Sequence, residues 1–377
     1  MQKPRILVTA ATGRTGFPVA WQLLARGFPV RAFVRRQGER TRQLKQAGAE
    51  LFIGNLLDFR DLHQALQGVQ RAYYCPPFAP NLLHGSMLFA LAAEDANLEV
   101  VALMSQWNPH ATHPSFVSRE HWVANQLYRW MPSVDVIHIN PGIFAFVYLL
   151  GLPMITNFGM LMAPFGEGRN APPANEDIAR VVVGVLTEPT PHIGKSYRPT
   201  GPELLSTEDM AVILSNILQR PVRYQDTSIT MFAKAAKAMG FPDFEMSQMR
   251  YYADDIRQDA FAIGGTTNHV ERVTGQPPES FEHTARRYLQ NPALIHPKLS
   301  RVGKLGAILQ GRGSAIALLV QTLFSQVPDW ETWEQAHNHP LLNQPQLASH
   351  NPDWVASAQQ QQLNLLQLKN LDCAPLV

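Results

Sequence analysis

Apolar residues follow two rhythms along the first 140 residues. Short β-branched runs such as Arg5-Ile6-Leu7-Val8-Thr9-Ala10 alternate with stretches in which apolar residues recur every three or four positions. The first rhythm predicts strands buried on both faces, the second amphipathic helices. It places strands at about 5–10, 29–34, 50–53, 70–74, 98–104 and 134–139, and helices at about 16–27, 38–48, 58–67, 84–96 and 117–130. Strands alternating with helices imply an α/β fold with a parallel, doubly wound sheet. The rhythm returns at helix 175–187 and strand 196–200. Ser206 and Asp209 then have the spacing of a capping box, opening a helix that ends near Gln219, before Pro221. Residues 229–290 read as mostly helical. The expected division is a Rossmann core over 1–150, a smaller, mostly helical lobe over 151–290 with returning core elements at 175–226, and a mainly helical extension over 291–377.

Composition narrows the classes. The chain has 377 residues, 45% hydrophobic and only 16% charged, with 32 Lys and Arg against 30 Asp and Glu. Such a chain is globular, and a net charge of +2 gives no footprint for nucleic acid. Two cysteines, Cys75 and Cys373, are too few for a disulfide framework. No apolar run reaches the roughly 18 residues of a membrane span, and the amino terminus has no apolar targeting core, so a cytoplasmic protein is expected.

Candidate chemistry begins at the first strand–helix junction, Thr9-Ala10-Ala11-Thr12-Gly13-Arg14-Thr15-Gly16. Gly13 would let the backbone approach a pyrophosphate, and Gly16 would let the helix pack close to the strand. The free N–H groups of the helix start would face the anion. The second strand ends in Arg35-Arg36, where a Rossmann fold discriminates the adenosine ribose. An acidic residue there favours NAD(H); two arginines favour the 2′-phosphate of NADP(H).

These features, with others in the same order along the chain, resemble the NmrA-like family of atypical short-chain dehydrogenase/reductases. The carriers are Val8 to Gly16, Gly54-Asn55-Leu56-Leu57-Asp58, Asn140-Pro141-Gly142-Ile143-Phe144, Glu176-Asp177-Ile178-Ala179-Arg180, Tyr197 to Glu203, and Gly275 to Phe281. The resemblance spans about residues 4–290. It implies an NADP(H)-binding Rossmann domain, with contacts from Thr9, Ala11, Thr12, Gly13, Arg14, Thr15, Gly16, Arg35, Arg36, Asn55, Leu56, Cys75, Pro76 and Pro141. The family includes quinone and aromatic-compound reductases, plant isoflavone and benzylic ether reductases, and nucleotide-binding regulators without evident chemistry.

Short-chain dehydrogenases protonate substrate with a Tyr assisted by a Lys one helical turn later. The family resemblance puts His121 and Asn125 at those two positions, so the pair is absent. Quinone-reducing relatives also carry a His here, which leaves His121 and Ser105, at the end of the fifth strand, as candidate catalytic residues. Both also suit purely structural roles. Phe144, Phe146, Tyr148, Met154, Met160, Met162 and Phe165 would wall a pocket for a small apolar or aromatic substrate, or be plain core. The pairs His110/His113 and His337/His339 lack carboxylate or thiolate companions at ligand spacing, so no metal site is expected and they read as loop histidines.

The extension from 291 lies beyond the family pattern. Its apolar run Leu305 to Phe324 suits a helix packed on the domain or on another subunit, or a membrane-contact segment with Arg301, Lys304 and Arg312. Gln359 to Leu371 suggests a terminal helix that docks or pairs, hence a protein partner or homo-oligomer. Two functions remain in view: an NADP(H)-dependent oxidoreductase transferring hydride to an aromatic or quinone-like carbonyl compound, and an NADP(H)-sensing regulatory or assembly protein.

Overall fold

The computed structural model describes residues 3–291 and 312–336. Its centre is a seven-stranded parallel sheet in the order β3-β2-β1-β4-β5-β6-β9. The strands are β1 (Ile6–Val8), β2 (Val30–Val34), β3 (Glu50–Ile53), β4 (Arg71–Tyr74), β5 (Val100–Met104), β6 (Asp135–Ile139) and β9 (Ser196–Tyr197). The helices between them are α1 (Gly16–Ala25), α2 (Glu39–Gln46), α3 (Phe59–Leu66), α4 (Leu82–Asp95) and α5 (Phe116–Arg129). The doubly wound sheet is borne out.

Alternation along each strand divides the core in two. Ile6, Val8, Ala32, Tyr73, Ala102 and Ile137 face Val19 and Leu23 of α1 and Ile178, Val182 and Val185 of α8 (Asn175–Thr187). Their neighbours Leu7, Phe33, Ala72, Tyr74 and Val101 face Leu62 and Leu66 of α3, Phe89 and Ala93 of α4, and Tyr128 of α5. Period 2 thus buries both faces, as a parallel sheet requires. Helix α1 stops where the pattern predicts, with Gly27 in the left-handed region at φ 72°. The last strand, β9, pairs His138 with Ser196 and Ile139 with Tyr197, so the sheet is completed by chain from beyond residue 150.

The first strand is shorter than expected. Thr9 and Ala10 leave it for the loop because Ala10 takes a φ of 47°, outside strand geometry.

Beyond β6 come α6 (Ala145–Tyr148), α7 (Leu152–Phe158), β7 (Met160–Ala163) and β8 (Arg169–Asn170), all before α8. After β9 follow β10 (Leu205–Ser206), α9 (Thr207–Leu218), β11 (Arg223–Asp226), α10 (Ile229–Ala238), α11 (Asp243–Arg257), α12 (His269–Thr274) and α13 (Phe281–Leu289). The capping box is present, with the Ser206 hydroxyl and the Asp209 carboxylate bonding each other's backbone N–H. The pattern missed two small sheets, β7 paired in parallel with β11 and β8 antiparallel to β10. Strands of two to four residues are too short to show a period, and their partners lie far along the chain. Arg198 ties lobe to sheet: its guanidinium lies 3.9 Å from the Trp107 ring centroid and donates to the Phe261 carbonyl at 2.7 Å.

Two further helices, α14 (Arg312–Phe324) and α15 (Trp330–Ala336), belong to the extension. Helix α14 packs on α10 and α7. Trp330 of α15 joins Ala233, Ala236 and Met246, and the Glu334 carboxylate accepts from Arg250 at 2.8 Å and Tyr251 at 3.1 Å. The described part of the apolar run Leu305 to Phe324 is therefore a helix packed on the lobe. Residues 305–311, Arg301, Lys304, His337, His339, Gln359 to Leu371 and Cys373 lie outside the described residues.

Candidate nucleotide-binding and reaction site

The carboxyl ends of β1, β2, β4, β5 and β6 bring most of the expected residues to one edge. After β1, the loop closes on itself: the Gly13 N–H donates to the Ala10 carbonyl at 2.7 Å, and α1 begins at Gly16. A Cβ on Gly16 would sit 2.2 Å from the Ala10 carbonyl oxygen and 2.9 Å from that of Thr9. Gly13 is nearly as confined, with the Ala10 oxygen 2.9 Å from where its Cβ would be. Only glycine allows this approach of helix to strand. The helix start has no side-chain cap, and the N–H groups of Arg14, Thr15 and Gly16 find no acceptor among the described residues. Uncapped N–H groups at a helix N-terminus suit an anionic phosphate.

The Thr9 hydroxyl welds this loop to the next. It donates to the Tyr73 carbonyl at 3.1 Å and accepts from the Cys75 N–H at 2.8 Å. Tyr73 reaches back, its hydroxyl 3.2 Å from that of Thr15. Cys75 and Pro76 thus lie beside the glycine loop. Burial pushes the Cys75 thiol up, so it stays protonated.

The arginines divide. Arg35 and Arg36 are exposed at the end of β2. The pattern missed a third, Arg40, in the first turn of α2. It donates to the carbonyls of Thr12 at 2.9 Å and Gly13 at 3.1 Å, and lies over the Phe17 ring. A helix-face arginine carries no sequence signal for this role, because the approach of α2 to the loop is tertiary. Arg14 turns away toward the lobe, its guanidinium 4.4 Å from the Phe146 ring centroid. Asn55 is exposed, and its side-chain oxygen accepts from the Leu57 N–H at 3.1 Å. Leu56 packs partly on the α3–α4 side of the sheet. Pro141 is buried behind β5, its carbonyl accepting from the Trp107 N–H at 2.8 Å.

Ser105 directly follows β5. The Gln106 side chain donates to the Ser118 hydroxyl at 2.7 Å and accepts from the Tyr252 hydroxyl at 2.6 Å, binding the strand end to the first turn of α5 and to α11. His121 lies one turn further along α5, and Asn125 one turn beyond that. Among the described residues, the buried Ser105 hydroxyl and both polar atoms of the Asn125 carboxamide have no hydrogen-bond partner. Such groups are costly unless a ligand or water satisfies them. Burial alone pushes His121 down to about 4, so its imidazole is neutral at pH 7.

His138 on β6 is also buried, and its Nδ1 has no partner. Burial, with Arg129 adding to it, pushes its pKa down to about 3. An unfolded histidine titrates near 6.5, so as pH falls from 6.5 toward these values the unfolded chain binds protons that the native chain refuses. Native stability is therefore lost over that window, by on the order of 3 kcal/mol per histidine. Glu120, pushed up to about 7 chiefly by burial, opposes this, so the readout is a difference between chains. His138→Leu should flatten the fall of urea-unfolding free energy between pH 6.5 and 4 by about 1.4 kcal/mol per pH unit. Parallel curves for the two chains would refute it.

His113 stands in the loop before α5, as expected, but it is buried, its Nε2 2.9 Å from an Asp255 carboxylate oxygen of α11. Its partner lies 142 positions away, beyond any local pattern. Five of the seven expected pocket residues, Phe146, Tyr148, Met154, Met162 and Phe165, line a cavity in the lobe; Phe144 and Met160 do not, and neither do Ser105 and His121.

A parallel sheet whose first loop is a glycine cradle at a helix N-terminus is the nucleotide-binding end of a Rossmann-type fold. Residues 2–127 match the NmrA-like family, so the resemblance read from the motifs is borne out. Over 284 residues the chain is 28% identical to an NAD(P)H azoreductase of Xenophilus azovorans, covering 75% of this chain and 97% of the relative. The fold is shared with an NADPH-dependent quinone oxidoreductase of Escherichia coli, solved with NADPH, at a TM-score of 0.66 and 22% identity, over 76% of this chain and 100% of that one. It is also shared with NmrA, a negative transcriptional regulator solved with NADP, at a TM-score of 0.64 and 19% identity, over 76% and 95% of the two chains. Among the described residues no helix is long and apolar enough to cross a membrane, and no cluster of His, Cys, Asp and Glu could hold a metal ion.

Proposed function

We propose that the chain binds NADP(H) across the carboxyl ends of β1, β2 and β4, and reduces a small aromatic or quinone-like carbonyl compound. The observation that carries the reading is the cradle at 9–16, where Gly16 has no room for a Cβ and the N–H groups of the helix start stand uncapped. The azoreductase relative and the NADPH-bound quinone oxidoreductase support it. The loop backbone would hold the pyrophosphate, with Arg35 and Arg36 at the 2′-phosphate and Arg40 bracing the loop.

Bound NADPH supplies a hydride from nicotinamide C4. The unpartnered Ser105 hydroxyl and Asn125 carboxamide are the groups to orient a substrate oxygen, since they gain the hydrogen bonds they lack. His121, neutral at pH 7, polarises that oxygen through a ring N–H rather than as an imidazolium. A carbonyl carbon would gain the hydride and its oxygen a proton from solvent, giving the alcohol; a quinone would take up the same hydride and proton and, after any tautomerisation, give the hydroquinone, the nucleotide leaving oxidised.

The test is NADPH consumption with a panel of quinones and aromatic carbonyl compounds. His121→Ala should lower kcat about tenfold or more, and His121→Gln, which keeps an N–H donor, should recover part of it. Unchanged turnover in His121→Ala would remove His121 from the mechanism. A second reading, a nucleotide-sensing protein acting through a partner docked on 291–377, is favoured by the absence of a Tyr/Lys pair at 121 and 125. Tight NADPH binding without turnover on any compound would select it.

A further inference from the structure

The lobe contains a cavity of about 310 Å³ that Ser105 and His121 do not line. Its walls come from α6, α7, β7, α10 and α11 with Phe78 from the loop after β4, and its roof from α14, which contributes Leu318, Leu319, Thr322 and Leu323. The roof lies past the last family motif, which ends at Phe281. The azoreductase and the quinone oxidoreductase are matched over 97% and 100% of their lengths by about three quarters of this chain. Helix α14 thus closes the cavity from beyond the stretch that carries the family motifs.

The lining states what would fit. Six methionines, at 154, 162, 231, 239, 246 and 249, face it. Unbranched, polarisable thioethers adapt to apolar and aromatic shapes without a fixed mould. Polar groups are few. The Thr322 hydroxyl is committed to the Leu318 carbonyl at 2.7 Å. The Thr227 hydroxyl is buried and has no partner among the described residues, which leaves one donor unused in an apolar wall. Glu245 is half-buried, and burial pushes its carboxyl up. The volume is at the small-molecule end of ligand cavities, where apolar walls with a few placed polar groups are the rule.

We infer that this cavity is a second ligand site, roofed by the carboxy-terminal extension, for an uncharged, largely apolar small molecule carrying one hydrogen-bond acceptor for Thr227. Neither Ser105 nor His121 lines the site, and occupancy by such a molecule requires no hydride transfer.

Nile red, an uncharged apolar dye with a carbonyl acceptor, is a direct probe. Titrated into the full chain, it should show a saturable, blue-shifted emission increase at one equivalent, undiminished by saturating NADPH. Gly151 lines the cavity, and a Cβ there meets no atom within 4 Å, so Gly151→Leu should fill the space and weaken the dye at least tenfold. Leu319→Asp, on the half-exposed roof, should do the same without touching the walls. Thr227→Val should weaken it a few-fold, and NADPH affinity should be unchanged in all three. Non-saturable dye binding, displacement by NADPH, or full affinity in both Gly151→Leu and Leu319→Asp would each overturn the site. If Gly151→Leu does not fold, the roof variant decides alone. Loss of quinone reduction without loss of dye binding would count against the reductase reading only.

Discussion

Gly16→Ala should lower NADPH affinity by on the order of a hundredfold, about 2.7 kcal/mol, and cost the apo chain roughly 1–3 kcal/mol of stability. The cause is local and severe. An added methyl group would lie 2.2 Å from one backbone carbonyl oxygen and 2.9 Å from another, and neither can swing aside as a side chain can. Either α1 moves off the sheet or the loop opens, and both displace the uncapped N–H groups that would meet the phosphates. Gly38→Ala is the matching control: nothing lies within 4 Å of its Cβ, and its φ of −175° suits any residue. Fluorescence titration with NADPH and thermal unfolding would read both chains. Wild-type affinity in Gly16→Ala would mean that the nucleotide does not sit on this loop.

The second large effect concerns which nucleotide is held. Replacing both Arg35 and Arg36 by serine should cost NADPH about a hundredfold in affinity and leave NADH within about threefold. Charge-assisted hydrogen bonds to a phosphate are each worth roughly 1.5–3 kcal/mol, and only NADPH carries the 2′-phosphate. The two side chains are exposed, so the wild-type preference should also shrink as salt rises. Arg40→Ala should act differently, weakening both nucleotides alike, because its guanidinium braces the Thr12 and Gly13 carbonyls that both would share. Equal affinities for NADPH and NADH in wild type and double variant would overturn the assignment to NADP(H).

Much of the site could be read without coordinates because its parts are short, local and chemically marked. A β-branched run, a loop with glycines at 13 and 16, and a strand ending in two arginines each state their geometry within ten residues. What stayed hidden joins residues distant in sequence. Arg40 reaches the loop only because α2 folds back over it. The burial of the loop residue His113 was hidden because its partner, Asp255, comes from a helix in the lobe. The cavity needed α14 laid across α7 and α10, a packing no family motif announces.

By itself, the sequence determined the order and kind of the large elements, the glycine cradle, the basic end of β2, and the absence of a Tyr/Lys pair at His121 and Asn125. The elements and the cradle follow from backbone sterics and from two-residue and 3.6-residue periods, which a linear chain displays openly, whereas the meaning of His121 and Asn125 comes from the family resemblance. Tertiary structure alone decided that, among the described residues, the hydroxyls of Ser105 and Thr227 and the carboxamide of Asn125 are left without partners. It also decided that His121 is neutral, and that the extension roofs a cavity. Burial and hydrogen-bond satisfaction belong to the assembled surroundings of a side chain, and those surroundings come from segments that no local pattern brings together.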